Sequence, residues 1–235
     1  MAMLGVIVNT ITVLIGSTVG LICKRAVPER ITKAIMLAIG LCTIYIGISG
    51  TLEGENTLVL IVSMVFGTAV GTAIDLDRQI TRLGELMNRR FKRKDGSVSL
   101  TEGFVTGSLL FCVGAMTIVG SLNAGRRGDN EMLFTKSLLD LVSSCMLSVS
   151  LGIGVLFSAA FVFVFQGALV LLAQFLAPVL SAAAIAEITC AGSLMILALG
   201  LNLIGLTKFK VANFLPALLF SPLFSWLFTL LPFAI

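Results

Sequence analysis

The sequence predicts an all-α polytopic membrane protein with about eight transmembrane helices. Hydrophobic residues make up 57% of the 235 residues and charged residues 12%, and the mean hydropathy is +1.08. This composition lies outside the range of soluble globular domains. Apolar runs of about 20 residues, the length that crosses the hydrocarbon core as a helix, recur along nearly the whole chain. We therefore expect a single transmembrane domain over residues 1–235.

The apolar runs define the predicted spans in chain order. They cover 3–23 (TM1), 32–50 (TM2), 57–76 (TM3), 103–121 (TM4), 134–152 (TM5), 155–176 (TM6), 183–206 (TM7) and 211–233 (TM8). The TM5–TM6 boundary is the least defined, because SLGIGVLFS offers only Gly152 and Gly154 as turn formers. Two spans, one long bent helix and a re-entrant pair all fit this stretch. The first run lacks the basic n-region of a cleaved signal, so TM1 is expected to be retained.

Lysine and arginine cluster in three of the connections between the predicted spans. Most of the 16 basic residues follow TM1, TM3 or TM7, whereas the TM2–TM3 connection carries Glu53 and Glu55. Connections rich in lysine and arginine stay in the cytoplasm during insertion. We therefore predict that these three connections are cytoplasmic and that both chain termini lie outside.

The connection between TM3 and TM4, residues 78–98, has the pattern of a basic amphipathic helix at the membrane surface. Apolar residues recur at helical spacing between positions 80 and 91. Anionic lipid headgroups are the expected partner of its basic face, which consists of Arg82, Arg89, Arg90, Lys92, Arg93 and Lys94. A partner-binding or nucleic-acid-binding role is the alternative; we favour lipid contact and predict no nucleic-acid partner.

A weak internal similarity predicts an inverted repeat. ITKAIMLAI at 31–39 matches ITCAGSLMI at 188–196 in five positions, at an offset of 157 residues. TM2 and TM7, which carry these segments, run in opposite directions in the predicted topology. We therefore expect 1–77 (TM1–TM3) and 154–235 (TM6–TM8) to form an inverted pair around a central TM4–TM5 hairpin at 99–153. GLCTI and GAMTI, in TM2 and TM4, form a second similarity that argues against a simple two-fold relation.

Small residues at four-residue spacing indicate how the predicted helices pack. Such steps let two helix backbones approach closely in a bilayer, either within one chain or between subunits. They also contribute to the expectation of a homo-oligomer, a dimer or higher. The steps are Gly16–Gly20, Gly67–Gly71 and Gly103–Gly107.

TM5 carries the most informative polar residues of the chain. Asp140, Ser144 and Ser148 recur every four residues and form one stripe, and Lys136 lies one helical turn before Asp140. Residues four apart on a helix are within reach of an ion pair. Ionisable residues inside a membrane are costly and normally face a partner or water. The pair is either a structural contact that fixes the helix register or part of an ion or substrate site.

Other polar residues inside predicted spans are further candidates for solute binding. Asn9 and Thr12 share a face of TM1, Asn202 lies in TM7, and Asn213 and Pro216 lie at the start of TM8. The amides and hydroxyl could hydrogen-bond a small polar solute. Proline removes a helix hydrogen bond, so TM8 is expected to be broken, either as a binding element or as a simple kink.

The motif content favours transport over catalysis. The chain has no histidine, no metalloprotease, nucleophile-elbow or phosphate-loop motif, and no close carboxylate pair within a span. We predict no enzyme activity, no cofactor and no metal site. The preferred function is a small transporter or channel for an ion or small polar solute, with H⁺ or Na⁺ coupled through Asp140. The alternative is a structural or regulatory membrane protein that acts through helix packing and the basic 78–98 segment.

Four segments carry a resemblance to a known family. VPERI at 27–31, LLFCVGAMTIVGSLNAGRRGD at 109–129, TKSLLDLVSSCMLSVSLGIGV at 135–155 and VANFLPALL at 211–219 resemble the bacterial inner-membrane family of unknown function that includes YqgA and YdfK. The resemblance implies a bacterial plasma-membrane protein of similar size and number of spans. It implies no substrate and assigns no role to any residue.

Overall fold

The described part of the chain is helical throughout. The computed structural model describes residues 2–26, 28–79, 82, 100–112, 115–176 and 180–230, and no β-strand occurs in these ranges. The all-α prediction is confirmed. The elements are α1 Leu4–Ala26, α2 Glu29–Thr51, α3 Thr57–Ala73, α4 Leu100–Cys112, α5 Ala115–Arg127, α6 Glu131–Leu151, α7 Ile153–Leu171, α8 Ala173–Leu176, α9 Ala182–Leu203, a 3₁₀ turn Val211–Phe214 and α10 Ala217–Leu230.

Five stretches of the described chain are long and apolar enough to cross a bilayer. A sixth results if α4 and α5, which are bent by 59° relative to each other, form one broken span. The apolar parts of α2 and α3 are shorter. Large apolar side chains such as Leu138, Val164 and Leu219 are more than half exposed, as expected for helices that face lipid. The five candidate spans are Leu4–Lys24, Glu131–Leu151, Ile153–Leu171, Ala182–Leu203 and Val211–Phe228.

Gly152 separates α6 from α7. Its φ of 75° and ψ of −150° fall in a region that is open almost exclusively to glycine. This single residue ends one helix and begins the next, so TM5 and TM6 are two helices rather than one long bent helix. Asp140, before the turn, and Gln166, after it, both bond to the same Asn9 side chain, which shows that the chain reverses direction here.

Among the described residues, the α1–α6 seam is the most extensive contact between two helices, and these helices run parallel. The Gly5 N–H donates to the Asn130 side chain at the start of both helices. Further along, Gly16 lies against Leu141 and Gly20 against Cys145. A Cβ atom at Gly16 or Gly20 would overlap a backbone carbonyl oxygen of α6. The predicted Gly16–Gly20 step therefore packs within the chain.

The other glycine steps are also used inside the molecule. Gly67 and Gly71 of α3 pack on Ala217 and Asn213, so α3 and α10 run antiparallel. Gly103 and Gly107 of α4 pack near Gly154 and Ser158, so α4 and α7 run parallel. All three glycine steps therefore pack within the chain and do not support contact with a second subunit. The homo-oligomer stays a prediction.

The α4–α5 pair follows α7 over its whole length. Gly103, near the start of α4, contacts Gly154 at the start of α7, and Gly125, near the end of α5, contacts Val170 at the end of α7. The Thr117 hydroxyl of α5 donates to the Phe111 carbonyl of α4 across the break, at 3.1 Å. The two half-helices therefore advance in the same direction. The sequence predicts a break in TM8, where a 3₁₀ turn precedes α10; the structure adds a bend of 59° between α4 and α5, within predicted TM4.

The helix directions give the bundle two chemically different ends. The end with Lys24, Gly152 and Lys208 is called the basic end, and the end with Glu53, Asn130 and Glu187 is called the acidic end. Of the predicted 78–98 helix, Arg78, Gln79 and Arg82 belong to the described chain. The remaining basic candidates, Arg89, Arg90, Lys92, Arg93 and Lys94, lie outside the described residues.

Candidate functional site

A buried polar network joins α1, α6 and α7 in the acidic half of the bundle. Lys136 Nζ donates to Asp140 Oδ1 at 2.9 Å. Asn9 Nδ2 donates both to Asp140 Oδ2 at 3.0 Å and to Gln166 Oε1 at 3.2 Å. Asp140 is 4% exposed and Lys136 is 7% exposed. The ion pair predicted from the i, i+4 spacing is therefore present and almost entirely shielded from solvent.

Local sequence explains why these groups meet. Four residues on a helix bring Lys136 and Asp140 to the same face. The close α1–α6 seam, set by Gly16 and Gly20, brings Asn9 against that face. The Thr12 hydroxyl bonds to the Asn9 carbonyl at 2.8 Å. Thr12 therefore satisfies the α1 backbone and does not bond to the ion pair.

Two buried polar atoms in this network lack a hydrogen-bond partner among the described residues. They are Asn9 Oδ1 and Gln166 Nε2, and both side chains are 0% exposed. A buried polar atom without a partner costs free energy, commonly about 1–3 kcal/mol. Such atoms indicate a place where water or a solute is bound.

A cavity of about 690 Å³ adjoins the ion pair. Lys136 and Asp140 line one wall, and Ser193 and Thr189 of α9 line another. Thr189 Oγ1 is buried and has no partner within the described chain. The cavity extends from Glu53 at the acidic end to about the middle of α9. Its volume lies within the range of sites that hold small molecules.

Sequence comparison covers nearly the whole chain. A family model described as "Protein of unknown function (DUF554)" matches residues 4–226. The chain belongs to this family. It is 33% identical over 224 residues to "Uncharacterized membrane protein YdfK" of Bacillus subtilis (strain 168), with 94% of each chain covered. No solved structure matches it.

A second relative of this DUF554 protein has the same coverage. "Uncharacterized protein YqgA" of Escherichia coli (strain K12) is 29% identical over 221 residues, which cover 93% of this chain and 94% of the relative. The resemblance inferred from the four segments is confirmed. Together with the spanning-capable helices, the match to YdfK shows that the chain is a membrane protein. Neither name states a function.

The polar stripe of α6 continues toward the basic end with Ser144 and Ser148, and this part of it packs against α1 in the DUF554 protein. Ser144 Oγ donates to the Leu141 carbonyl at 3.1 Å and occupies the space beside Gly16. Ser148 lies beside Gly20, and its hydroxyl has no partner in the described chain. The stripe therefore divides: Lys136 and Asp140 line the cavity, whereas Ser144 and Ser148 form the seam.

Asn202 and Asn213 lie at the basic end, apart from Asp140. Asn202 Oδ1 accepts from Thr207 Oγ1 at 2.7 Å and from the Phe209 N–H at 2.9 Å, which shapes the connection after α9. Asn213 Oδ1 accepts from the Asp77 N–H at 2.8 Å. The structure does not bring these two asparagines together with Asn9 and Asp140.

Pro216 begins a helix rather than interrupting one. It directly precedes α10, where its missing N–H would have no helical partner in any case. The proline inside α10 is Pro222.

Sequence reasoning missed Gln166, Thr189 and Glu187. Gln166 is the one amide side chain of α7, whose other residues are apolar except for Ser158, and this isolation was a usable signal. Glu187 Oε1 accepts the N–H groups of Glu55 and Asn56 at 3.0 and 2.7 Å. A carboxylate that is 2% exposed therefore fixes the connection between α2 and α3. Glu187 and Thr189 belong to a helix whose sequence gives no direct sign of which connection it contacts.

Proposed function

We propose that this DUF554 protein is a small secondary transporter that moves an ion or small polar solute, with H⁺ or Na⁺ coupled through Asp140. The observation that carries the proposal is the buried Lys136–Asp140 pair on the wall of the 690 Å³ cavity. Removing two charges from water costs several kcal/mol per ion before their attraction repays it. An ion pair on a cavity wall can exchange partners with a bound ion or solute, which a pair sealed in apolar packing cannot do.

The surroundings of Asp140 support an exchangeable site. A carboxylate that holds a cationic partner can release it when a proton or a small cation takes its place. Asn9 bridges Asp140 to Gln166. A change at the Asp140 carboxylate therefore alters hydrogen bonds to both α1 and α7. The unpartnered Asn9 Oδ1 and Thr189 Oγ1 offer acceptors for a cation or for a polar solute.

The helix directions support eight crossings. Because α1 and α6 are parallel, an odd number of crossings separates them. Treating α2, α3 and the broken α4–α5 pair as one crossing each meets this requirement. A re-entrant α4–α5 pair would reverse α6 relative to α1. The antiparallel α3–α10 pair and the parallel α4–α7 pair fit the same count.

The α2–α9 seam supports the inverted repeat. Gly40 packs against Ile204, and Gly47 packs against Leu197. Gly40 and Leu197 lie 157 positions apart, as do Gly47 and Ile204. Shifting one residue of each contact forward and the other back by 157 positions therefore turns the first contact into the second. This is expected where a two-fold axis passes through the contact between two repeats. Inverted repeats of this kind are common in secondary transporters.

The charge distribution supports the orientation. Connections at the basic end carry most of the described lysine and arginine, so this end is assigned to the cytoplasm of a bacterial inner membrane. Both termini then lie outside, and the cavity beside Asp140 opens toward the exterior. Anionic lipid headgroups are the proposed partner of the basic residues that follow α3. A dimer or higher oligomer stays part of the proposal.

Transport is tested with purified protein in liposomes on a solid-supported membrane. Jumps of pH, Na⁺, K⁺ and pooled small metabolites are applied, and an internal pH-sensitive dye reports electroneutral proton exchange. Wild type is expected to give a signal that Asp140→Asn loses. Glu131→Gln removes an exposed carboxylate of the same helix and should keep the signal.

Each variant is first shown to elute from size exclusion as the wild type does. Wild-type protein that gives neither current nor dye response under any gradient contradicts the transport proposal. The structural or regulatory alternative would then be preferred. A signal from Asp140→Asn equal to that of wild type would support transport but contradict a coupling role for Asp140.

A further inference from the structure

A second cavity lies at the opposite end of the bundle. It measures about 420 Å³ and is lined by Glu102 of α4, Leu199 of α9, Asp77 and the connection that follows α9. Asn202 shapes this connection through its bonds to Thr207 and Phe209. The basic-end cavity therefore has a fixed, hydrogen-bonded wall and carries charged groups of both signs, since Lys208 and Lys210 also line it.

The two cavities are related by the repeat offset. Three residues that line the cavity beside Asp140 are each followed, 157 positions later, by a residue that lines the basic-end cavity. These pairs are Tyr45–Asn202, Gly50–Thr207 and Glu53–Lys210. Under an inverted repeat, a cavity that opens to one side of the membrane has a counterpart that opens to the other. The second cavity occupies the place of that counterpart.

A thin apolar layer separates the cavities. On α9 the acidic-end cavity reaches Ile196 and the basic-end cavity reaches Leu199, which is about 4.5 Å along the helix axis. On α4 the acidic-end cavity reaches Leu110 and the basic-end cavity reaches Val105, about 7.5 Å apart by the same rise per residue. Val105, Ile196 and Leu199 belong to one buried cluster with Met195, which is 0% exposed, and the partly buried Leu110 packs against it. A charged solute cannot cross such a layer without a change in the helix contacts.

We propose that the two cavities are the two access sites of one route for a small polar solute, closed in this conformation by the α4–α9 apolar layer. The proposal rests on the proposed transport function and adds its path. The solute enters beside Lys136 and Asp140 and leaves past Glu102 and the connection after α9. The layer opens when α4 and α9 shift against each other, beside the point where α4 ends and α5 begins.

Cysteine accessibility tests the route without knowledge of the solute. In a variant whose five cysteines are replaced by serine or alanine, single cysteines are introduced and labelled with a membrane-impermeant maleimide. Right-side-out and inside-out vesicles are compared. Ser49→Cys lines the first cavity, Thr207→Cys lines the second, and Met195→Cys lies in the layer. Tyr45→Cys and Lys208→Cys replace the first two if either variant is poorly folded.

We expect Ser49→Cys to react from one side only and Thr207→Cys from the opposite side only. Met195→Cys should react much more slowly than either, because the layer is closed in this conformation. Ser49→Cys and Thr207→Cys reacting from the same side would overturn the route, as would Met195→Cys reacting as fast as Ser49→Cys. This readout is independent of transport. Labelling from opposite sides without any transport signal would support the two cavities and contradict the transport function. Transport together with labelling from the same side would support the transport function and contradict the route.

Discussion

At the scale of single residues, the cost of burial explains why Lys136 and Asp140 stand out. Each charge alone would be expensive inside the bundle, and the 2.9 Å contact compensates both. Asn9 supplies a further hydrogen bond to the carboxylate. We therefore expect Lys136 and Asp140 to be energetically coupled.

A double-mutant cycle measures this coupling. Lys136→Met and Asp140→Asn are combined, and the free energy of unfolding is followed by SDS titration in mixed micelles. The sum of the losses in unfolding free energy of the two single variants should exceed the loss in the double variant. The difference, the interaction energy, should be about 0.5–3 kcal/mol. Removing one partner leaves the other buried without compensation, which is the physical reason for the excess.

The matched control combines Asp140→Asn with Glu131→Gln. Glu131 is exposed and lies more than two turns from Asp140 on α6, so these two effects should add. Strict additivity in the Lys136–Asp140 cycle as well would show that the ion pair contributes nothing to stability.

At the scale of elements, small residues decide which helices pair. Lipid does not drive helices together by the hydrophobic effect, so association depends on close backbone approach. Gly16 and Gly20 allow α1 to lie directly on the α6 backbone, and this contact delivers Asn9 to Asp140. The position of the polar network is thus set by glycines more than a turn away.

Filling this seam should loosen it. A Cβ atom at Gly20 would overlap the Cys145 carbonyl oxygen, and backbone cannot give way cheaply. Gly20→Ala is expected to lower the free energy of unfolding by about 1–3 kcal/mol, the usual cost of overpacking. Val19→Ala, on the exposed face of the same helix, should change it much less. Equal stability of both variants would contradict the close α1–α6 contact.

At the scale of the whole molecule, helix directions separate two ends of different charge. The described residues that directly follow α1, α3 and α9 lie at the basic end, whereas Glu53, Glu55 and Glu187 lie at the acidic end. In the proposed topology this separation orients the bundle, with the basic end in the cytoplasm. It also gives the two cavities different surroundings, one beside an acidic rim and one beside Lys208 and Lys210.

Reporter fusions check the orientation. Alkaline phosphatase fused after the last residue should be active and green fluorescent protein at the same point should be dark, because the C-terminus is expected outside the cytoplasm. Fusions after Asp95, within the basic connection, should give the reverse. Activity of the same reporter at both points would place them on one side and contradict the eight-crossing topology.

Part of the candidate site could be predicted from sequence, because it depends on one helix. Lys136 and Asp140 meet through helical periodicity alone. Asn9 was recognised as a polar residue in a span, but its contact with Gln166 joins positions 157 residues apart, and no local pattern encodes such a distance. Asn202 and Asn213 have the same composition signal as Asn9 and yet serve the connections at the other end.

The sequence by itself determined that the chain is a helical membrane protein, where most of its apolar runs lie, and that Lys136 faces Asp140. These properties depend on composition and on the 3.6-residue helical period, which act over a few turns. The tertiary structure decided that α4 and α5 are bent relative to each other, that Gln166 completes the network, and that two cavities approach one apolar layer. Those features arise where distant helices meet, and helix packing in a bilayer follows the shapes of both surfaces at once.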